Sequence, residues 1–385
     1  MKVYLVAGEM SGDRLGGALM AGLRQLVPDV AFAGVGGPLM AAQGLESLFP
    51  MDELSVFGIA EVLPKYRHLV RRMHQTADAV VDWRPDVLIT IDSPDFCLRV
   101  ARAVKAKSGI HCVHYVAPSV WAWRPKRAVK MAKSVDHVLA LLPFEPPYME
   151  AVGLRSDFVG HPVVSEPVAS AEDTARFRRD LGLGDAPVML VLPGSRRGEV
   201  GRLAPAFGEV VAKVKQQQPD VEVLVPAAEA VVDLVKEAVA SWSHPVTVLD
   251  PTVGTADHAL AQKRAAFASA NVALAASGTV SLELAANNTP MVIAYDMNWI
   301  TWQIMSRMAL IDTVTLVNLV SETRVVEEFL GPAFQPERIA PAVLRALKAP
   351  KAQQEAMTLT MQRLGRGAEA PGLRAARAVL DGLPK

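Results

Sequence analysis

The chain has 385 residues, 51% of them hydrophobic, enough to build two full domains rather than one. With 40 Lys and Arg against 40 Asp and Glu, it has no overall field to attract nucleic acid. Only two cysteines occur, Cys97 and Cys112; they offer neither a disulfide framework nor metal-ligand spacing, so a reducing cytosol is the simplest home.

The opening "MKVYLVAG" has an apolar core too short for a secretory signal, and no apolar run approaches the ~20 residues of a membrane-spanning helix. "VYLVA" (3–7) reads as the first buried strand. It stops at Gly8-Glu9-Met10-Ser11-Gly12-Asp13 and resumes as a helical pattern, the order in which α/β proteins build a ligand crevice. Gly8 and Gly12 let backbone approach a ligand, while Glu9, Ser11 and Asp13 supply groups that bond sugars or phosphates. The plainer alternative is a turn in which Ser11 or Asp13 caps the helix. "VAFAGV" (30–35) is the second strand. "VLPKYRHLVRRMH" (62–74) then places Leu63, Tyr66, Leu69, Val70 and Met73 on one helical face, with Lys65, Arg67, His68, Arg71 and Arg72 over much of the remainder. A basic amphipathic helix is the usual form of a membrane-surface contact; a helix packed on the sheet with a solvated basic side has the same pattern.

The third strand, "DVLITI" (86–91), ends in "DSPDF". Asp92 stands at the strand end, where a general base would have to be. Ser93-Pro94-Asp95 reads as a helix cap, with proline at the first helical position and an acidic first turn. Asp92 and Asp95 lack the His cluster that would make them a metal pair. After "HCVHYV" (111–116), the run "HYVAPSVWAWRPKR" (114–127) gathers His114, Tyr115, Ser119, Trp121, Trp123 and Arg124. Aromatics mixed with polar donors suit a sugar ring or a lipid-linked headgroup. "VDHVLALL" (135–142) is the fifth strand, and "GHPVVSEPVASAED" (160–173) interrupts the alternation as a linker would.

Five more strands follow: "VMLVLP" (188–193), "VEVLVP" (221–226), "VTVLD" (246–250), "VALAA" (272–276) and "MVIAY" (291–295). After the first of these comes "GSRRGEV". Gly194 and Ser195 free backbone N–H groups, and Arg196 and Arg197 bring positive charge beside a helix start, where anions bind well; an exposed basic turn is the plain alternative. After "VALAA", Ser277-Gly278-Thr279 opens a helix and points N–H groups outward, with Glu283 one turn further on, where a carboxylate can take both hydroxyls of a ribose. This is not a Walker motif, and it also fits a capped helix with Glu283 favouring its dipole. Together the two loops suggest a diphosphate-bearing nucleotide held by the second half. The final residues are helical by their 3.6-residue period. The expected fold is α/β, with two Rossmann-like domains, 1–165 and 166–345, a cleft between them, and C-terminal helices over 346–385 that pack on the first domain or on a partner subunit.

Taken in order, "VAGEMSGD", "GVGGPLM", "GIAEVLPKYRHL", "IDSPDF", "HYVAPSVWAWR", "LPFE", "GHP", "LPGSRRGEV", "ASGTVSLE" and "NLV" resemble the lipid-A-disaccharide synthases, glycosyltransferases of the GT-B fold. The resemblance implies an inverting transfer that uses no metal and no cofactor. UDP-2,3-diacylglucosamine is the donor and 2,3-diacylglucosamine 1-phosphate the acceptor, and the products are a β-1′,6-linked disaccharide and UDP. The setting would be the cytoplasmic face of the inner membrane, with the protein peripheral on the lipid surface. The family's general base falls on Asp92, its first-loop residues on Glu9 and Ser11, its Pro-Gly-Ser-Arg arginine on Arg196, its ribose carboxylate on Glu283 and a late active-site asparagine on Asn318. Its membrane patch falls on Leu63, Tyr66, Leu69 and Val70. Reading the residues adds Gly12, His114, Ser119 and Trp121 to the acyl-sugar side, and Gly194, Ser195, Ser277, Gly278 and Thr279 to the UDP side.

The chain departs from the family at Ser93, where Ala is frequent, and at Glu322-Thr323-Arg324, where a Gly-Arg-Glu run is usual, so Arg324 receives no role. Family members can exchange C-terminal segments in a homodimer, which makes the final helices candidates for such a contact. A UDP-sugar 2-epimerase shares the two-domain plan but needs no lipid-facing helix, and another GT-B transferase acting on a lipid-linked acceptor would share most of the loops. A nicotinamide-dependent oxidoreductase would want Gly-x-Gly-x-x-Gly, which "GVGGPLM" breaks at Pro38.

Overall fold

Runs of Val, Ile and Leu without polar breaks can be buried on both faces only in a parallel sheet covered by helices. The computed structural model, which describes residues 1–54 and 59–384 except the side chains of 59–64, has two such sheets. The first contains β1 (Lys2–Ala7), β2 (Ala31–Val35), β3 (Val87–Ile91), β4 (His111–Tyr115), β5 (His137–Ala140) and β6 (Arg155–Phe158) in the order β2-β1-β3-β4-β5-β6. The second contains β7 (Val188–Leu192), β8 (Glu222–Pro226), β9 (Thr247–Leu249), β10 (Val272–Ala275), β11 (Met291–Tyr295) and β12 (Glu328–Leu330) in the order β12-β11-β10-β7-β8-β9. Every pairing is parallel. The architecture is therefore the two-domain, Rossmann-like α/β arrangement. Two strands go beyond the ten expected. β6 reads "RSDF" and β12 reads "EFL"; both are short edge strands without the unbroken apolar run that marks a central one.

Residues 1–165 and 364–385 form one compact unit and 166–363 the other. The helix Pro371–Gly382 lies on the helix Met10–Leu26 of the first unit, adding Ala375, Ala376 and Val379 to its core. A Cβ on Gly372 would stand 2.5 Å from the Ala18 carbonyl oxygen, so only glycine permits this approach. The helices Pro336–Lys348 and Lys351–Arg363 stay with the second unit. There Met291 N–H donates to Gln353 Oε1 at 2.8 Å and Arg363 donates to the Val320 carbonyl at 2.7 Å. Among the described residues, no helix is long and apolar enough to cross a membrane.

Each sheet has a place where strand order reverses, and there the loops diverge and leave a crevice at the carboxyl edge. In the first sheet it lies between β1 and β3, with Ala7 paired beside Ile91. In the second it lies between β7 and β10, with Leu192 beside Ala275. Four loops of chemical interest thus leave two sheets in two adjacent pairs.

Candidate functional site

At the first reversal, the loops after β1 and β3 hold each other. Ser11 Oγ donates to Asp92 Oδ2 at 3.2 Å, and Ser93 Oγ donates to Glu9 Oε1 at 3.3 Å. Gly8 makes room, since a Cβ there would stand 2.8 Å from Ser93 Oγ. Asp92 and Ser93 both have left-handed backbone, with φ of 52° and 42°, a conformation costing about 1–3 kcal/mol per non-glycine residue. Asp92 N–H donates to the Tyr115 carbonyl at 2.9 Å, which carries the sheet ladder one residue past β3 and fixes where the carboxylate starts.

The capping scheme differs from the one expected. Ser93 makes no side-chain cap on the helix Pro94–Lys105, because its left-handed backbone turns the hydroxyl toward Glu9. Pro94 does open that helix, with Asp95 in its first turn. The helix Met10–Leu26 begins inside the stretch read as loop, and its N-cap, Glu9, provides no side-chain cap. Asp13 is buried and caps a different helix: its carboxylate accepts from Gly37 N–H (2.8 Å), Leu39 N–H (2.9 Å) and Met40 N–H (3.0 Å) at the start of Pro38–Ala41. It serves the "GGPLM" turn rather than a ligand. Gly12 is likewise buried, and its missing Cβ admits the Ile91 carbonyl, 3.3 Å from where that carbon would be.

The run from 114 to 124 separates into parts. His114 belongs to β4, not to a loop, and is buried with Nδ1 2.8 Å from Thr90 Oγ1. Burial holds its pKa down to about 3, so it is a neutral, satisfied core group and not an open sugar contact. Ser119 is exposed. Trp121 is buried, donates from Nε1 to Glu145 Oε1 at 3.1 Å and packs edge-on to Phe144. Glu145 Oε2 accepts from Leu141 N–H (3.1 Å) and Leu142 N–H (3.0 Å). Burial pushes its carboxyl up to about 7 against those bonds. Glu145 is the keystone of "LPFE"; lying 24 positions from Trp121, it gives no local sign of that partnership.

At the second reversal lies a cavity of about 690 Å³, floored by strand ends such as Leu192, Pro226 and Leu249 and lined by Gly194, Ser195, Arg196, Ser277, Gly278, Thr279 and Glu283. Gly194 has φ 110°, and a Cβ there would stand 2.5 Å from the Glu199 carboxylate. Glu199 Oε2 accepts from Ser195 N–H (3.0 Å) and Arg196 N–H (3.3 Å), closing the start of the helix Arg197–Gln217, while Oε1 lies 3.3 Å from Arg196 Nη1. Gly278 is also left-handed, φ 139°, and its carbonyl accepts from Ser281 Oγ at 2.9 Å. Glu283 Oε2 is 2.5 Å from Lys263 Nζ, and Lys263 lines the same cavity. Sequence reasoning missed both Glu199 and Lys263. Glu199 has a local signal, an acid three residues after an N-cap; Lys263 has none.

Asn318 is placed otherwise than expected. It is buried, with Nδ2 donating to Val326 O (2.9 Å) and Thr313 Oγ1 (3.2 Å) and Oδ1 accepting from Val326 N–H (3.1 Å). Its amide staples the segment 313–326 instead of facing a ligand.

On the helix Ile59–Trp83, the side chain of Leu63 lies outside the described residues. Tyr66 is 49% exposed, and Leu69 and Val70 are half-buried. Two of the basic side chains turn inward. Arg72 grips Glu53 through two bonds of 2.7 Å and lies over the Phe49 ring, and His68 Nε2 is 2.5 Å from Glu53 Oε2. The Arg72 guanidinium, followed by His68, holds the Glu53 carboxyl down to about 2.

The family model described as "Lipid-A-disaccharide synthetase" matches residues 3–374. A protein named lipid-A-disaccharide synthase from Ruegeria pomeroyi is 64% identical over 384 residues, covering 100% of this chain and 96% of its own length. One of the same name from Rhodospirillum centenum is 49% identical over 389 residues, covering 100% and 95%. Among solved structures, UDP-GlcNAc 2-epimerase from Neisseria meningitidis bound to UDP-GlcNAc superposes with TM-score 0.65 at 12% identity, covering 99% of both chains. Anabaena Alr3699/HepE in complex with UDP and glucose superposes with TM-score 0.59 at 12% identity, covering 99% and 98%. At such identity these two establish a shared fold and nothing finer.

Proposed function

The chain belongs to the lipid-A-disaccharide synthase family, UDP-sugar-dependent glycosyltransferases, and on that premise we propose how its own residues carry out the reaction. It transfers 2,3-diacylglucosamine from UDP-2,3-diacylglucosamine to 2,3-diacylglucosamine 1-phosphate, releasing UDP. The observation that carries this reading is the division of chemistry between the two strand-order reversals. One holds a carboxylate on strained backbone, Asp92, steadied by Ser11; the other opens a cavity of nucleotide size beside Arg196 and Glu283.

Asp92 takes the proton of the acceptor's 6-hydroxyl as that oxygen forms its bond to the donor's anomeric carbon, a general-base role. Ser11 orients the carboxylate through Oδ2, and Glu9 with Ser93 shapes the sugar side. The bond between the anomeric carbon and the β-phosphate oxygen breaks, and that oxygen leaves with the electron pair as part of UDP. Arg196 and the N–H groups of the Ser277-Gly278-Thr279 turn stabilise the charge that grows on the diphosphate, while Glu283 holds the ribose. Gly194 and Ser195 let the loop close on the phosphates. The acylated substrates place the protein at the cytoplasmic face of the inner membrane, with Tyr66, Leu69 and Val70 toward lipid. In a homodimer formed by segment exchange, Pro371–Gly382 is the helix two copies would swap.

The test is to incubate the protein with both acylated sugars, following UDP release and the mass of the lipid product. UDP release that requires both sugars, with one new disaccharide 1-phosphate, is the expected result. Conversion of the UDP-sugar alone, without an acceptor, would replace this reading with an epimerase.

A further inference from the structure

We infer that the helix Trp299–Met308, in the second unit, is a docking surface for an anionic lipid bilayer, distinct from the helix Ile59–Trp83. The inference rests on the reading above that the substrates are acylated sugars. A ten-residue helix on an α/β sheet normally buries one face, yet no residue of this one is buried. Trp299 is 72% exposed, Ile300 66% and Ile304 53%, and Leu310 just beyond is 61% exposed. The helix is nonetheless well formed. Asn298 Oδ1 caps it by accepting from Thr301 N–H at 2.8 Å, and Trp302 anchors it over Gly331, where a Cβ would stand 2.5 Å from the indole.

Charge names the occupant. Between Asp296 and Asp312 the sole formally charged side chain is Arg307. The two flanking carboxylates are held by Arg202 (3.2 Å) and Arg324 (2.6 Å). A tryptophan and isoleucines with one cation, no anion on the helix itself and both flanking anions already paired suit a helix lying in a membrane interface. A second copy of the chain is a poorer fit. One face of a ten-residue helix is about 15 Å by ~10 Å, on the order of 150 Å², against ~800 Å² per partner in a stable complex. Position agrees as well: the helix follows β11 at the carboxyl edge of the second sheet, the edge that also bears the cavity, and Arg202–Asp296 ties its start to the helix that begins at Arg197. A bilayer met here lies on the side where a nucleotide-linked lipid would enter.

The experiment is flotation of the full chain with vesicles of phosphatidylethanolamine and phosphatidylglycerol. Replacing Trp299, Ile300 and Ile304 together by Ser should lower the vesicle-bound fraction about tenfold, while UDP affinity measured by calorimetry stays unchanged and reports an intact fold. Brominated lipids should quench a tryptophan signal that Trp299→Phe removes. Flotation of the triple variant equal to that of the parent overturns the inference. So does a parent dimer that the triple variant splits into monomers without loss of flotation, which would mean that a second copy covers this face. Failure of the parent to release UDP from the two acylated sugars would count against the proposed reaction alone, since flotation reads the surface independently.

Discussion

Both units are six-stranded parallel sheets with one reversal of strand order, set one strand further from the edge in the second, but they treat polar groups in opposite ways. The first buries ionisable side chains, Asp13, His114, His137 and Glu145, and builds its reversal from side chains that bond one another across strained backbone. Among the described residues, the buried polar side chains of the second are all Ser, Thr, Asn or Gln, and its reversal opens a cavity between two glycine-bearing turns, with the charged side chains Arg196, Lys263 and Glu283 on its partly exposed wall. The contrast follows from the chemistry proposed for each. A base must be held in one orientation, which takes interlocked side chains; a diphosphate needs room and preset donors.

The sharpest way to break this contrast is at Asp92. Asp92→Asn should lower transferase turnover by about 10²–10⁴-fold while UDP affinity, a property of the other unit, is kept. Near-normal turnover would remove Asp92 from the base role, and loss of UDP binding would show that the division of labour is wrong.

Acid should separate the units next. Burial holds His114 at about 3 and His137 at about 4, below the ordinary 6.5. These folded values are depressed, so the stability they contribute is full above pH 6.5 and fades as pH falls toward 4, each histidine losing on the order of 3 kcal/mol. Glu145 runs the other way: raised by burial to about 7, it contributes fully below its ordinary 4.5 and loses that contribution as pH rises through 7. Hydrogen exchange at pH 7 and pH 4.5, read by peptide, should show protection lost first over 1–165, and Glu145→Gln should make that loss steeper. Earlier loss over 166–363 would undo the comparison.

Gly194→Ala sharpens it from the other side. At φ 110° and 2.5 Å from the Glu199 carboxylate, the added carbon costs about 1–3 kcal/mol. UDP affinity by calorimetry should fall about tenfold while the acid behaviour of the first unit stays as it was. The smallest effect is expected at Lys263. Its pair with Glu283 is partly exposed, so Lys263→Met should raise the donor KM only about two- to fivefold; no change would mean that Glu283 needs no counter-ion.

What the sequence disclosed and what it hid divide along a physical line. Apolar runs such as "DVLITI" announced the central strands because burial on both faces leaves no polar residue to confuse the pattern. The polar edge strands β6 and β12 lack that signal. The loops were visible where a strand stopped at Gly8 or Gly194. Invisible were the partners that bond across the fold: Asp13 to Gly37, Glu145 to Trp121, Lys263 to Glu283 and Asn318 to Val326. Local pattern also misassigned Ser93, because a cap needs extended backbone and Ser93 is left-handed.

The helix Pro371–Gly382 imposes an order on biosynthesis. It seats against Met10–Leu26 through the close approach at Gly372, yet it is translated after the whole second unit. On the ribosome, the later domain is complete while the earlier one still shows a bare groove along Ala18 and Gly22. The first domain therefore matures last, and a chain cut short anywhere in its final turns presents that groove to chaperones and proteases.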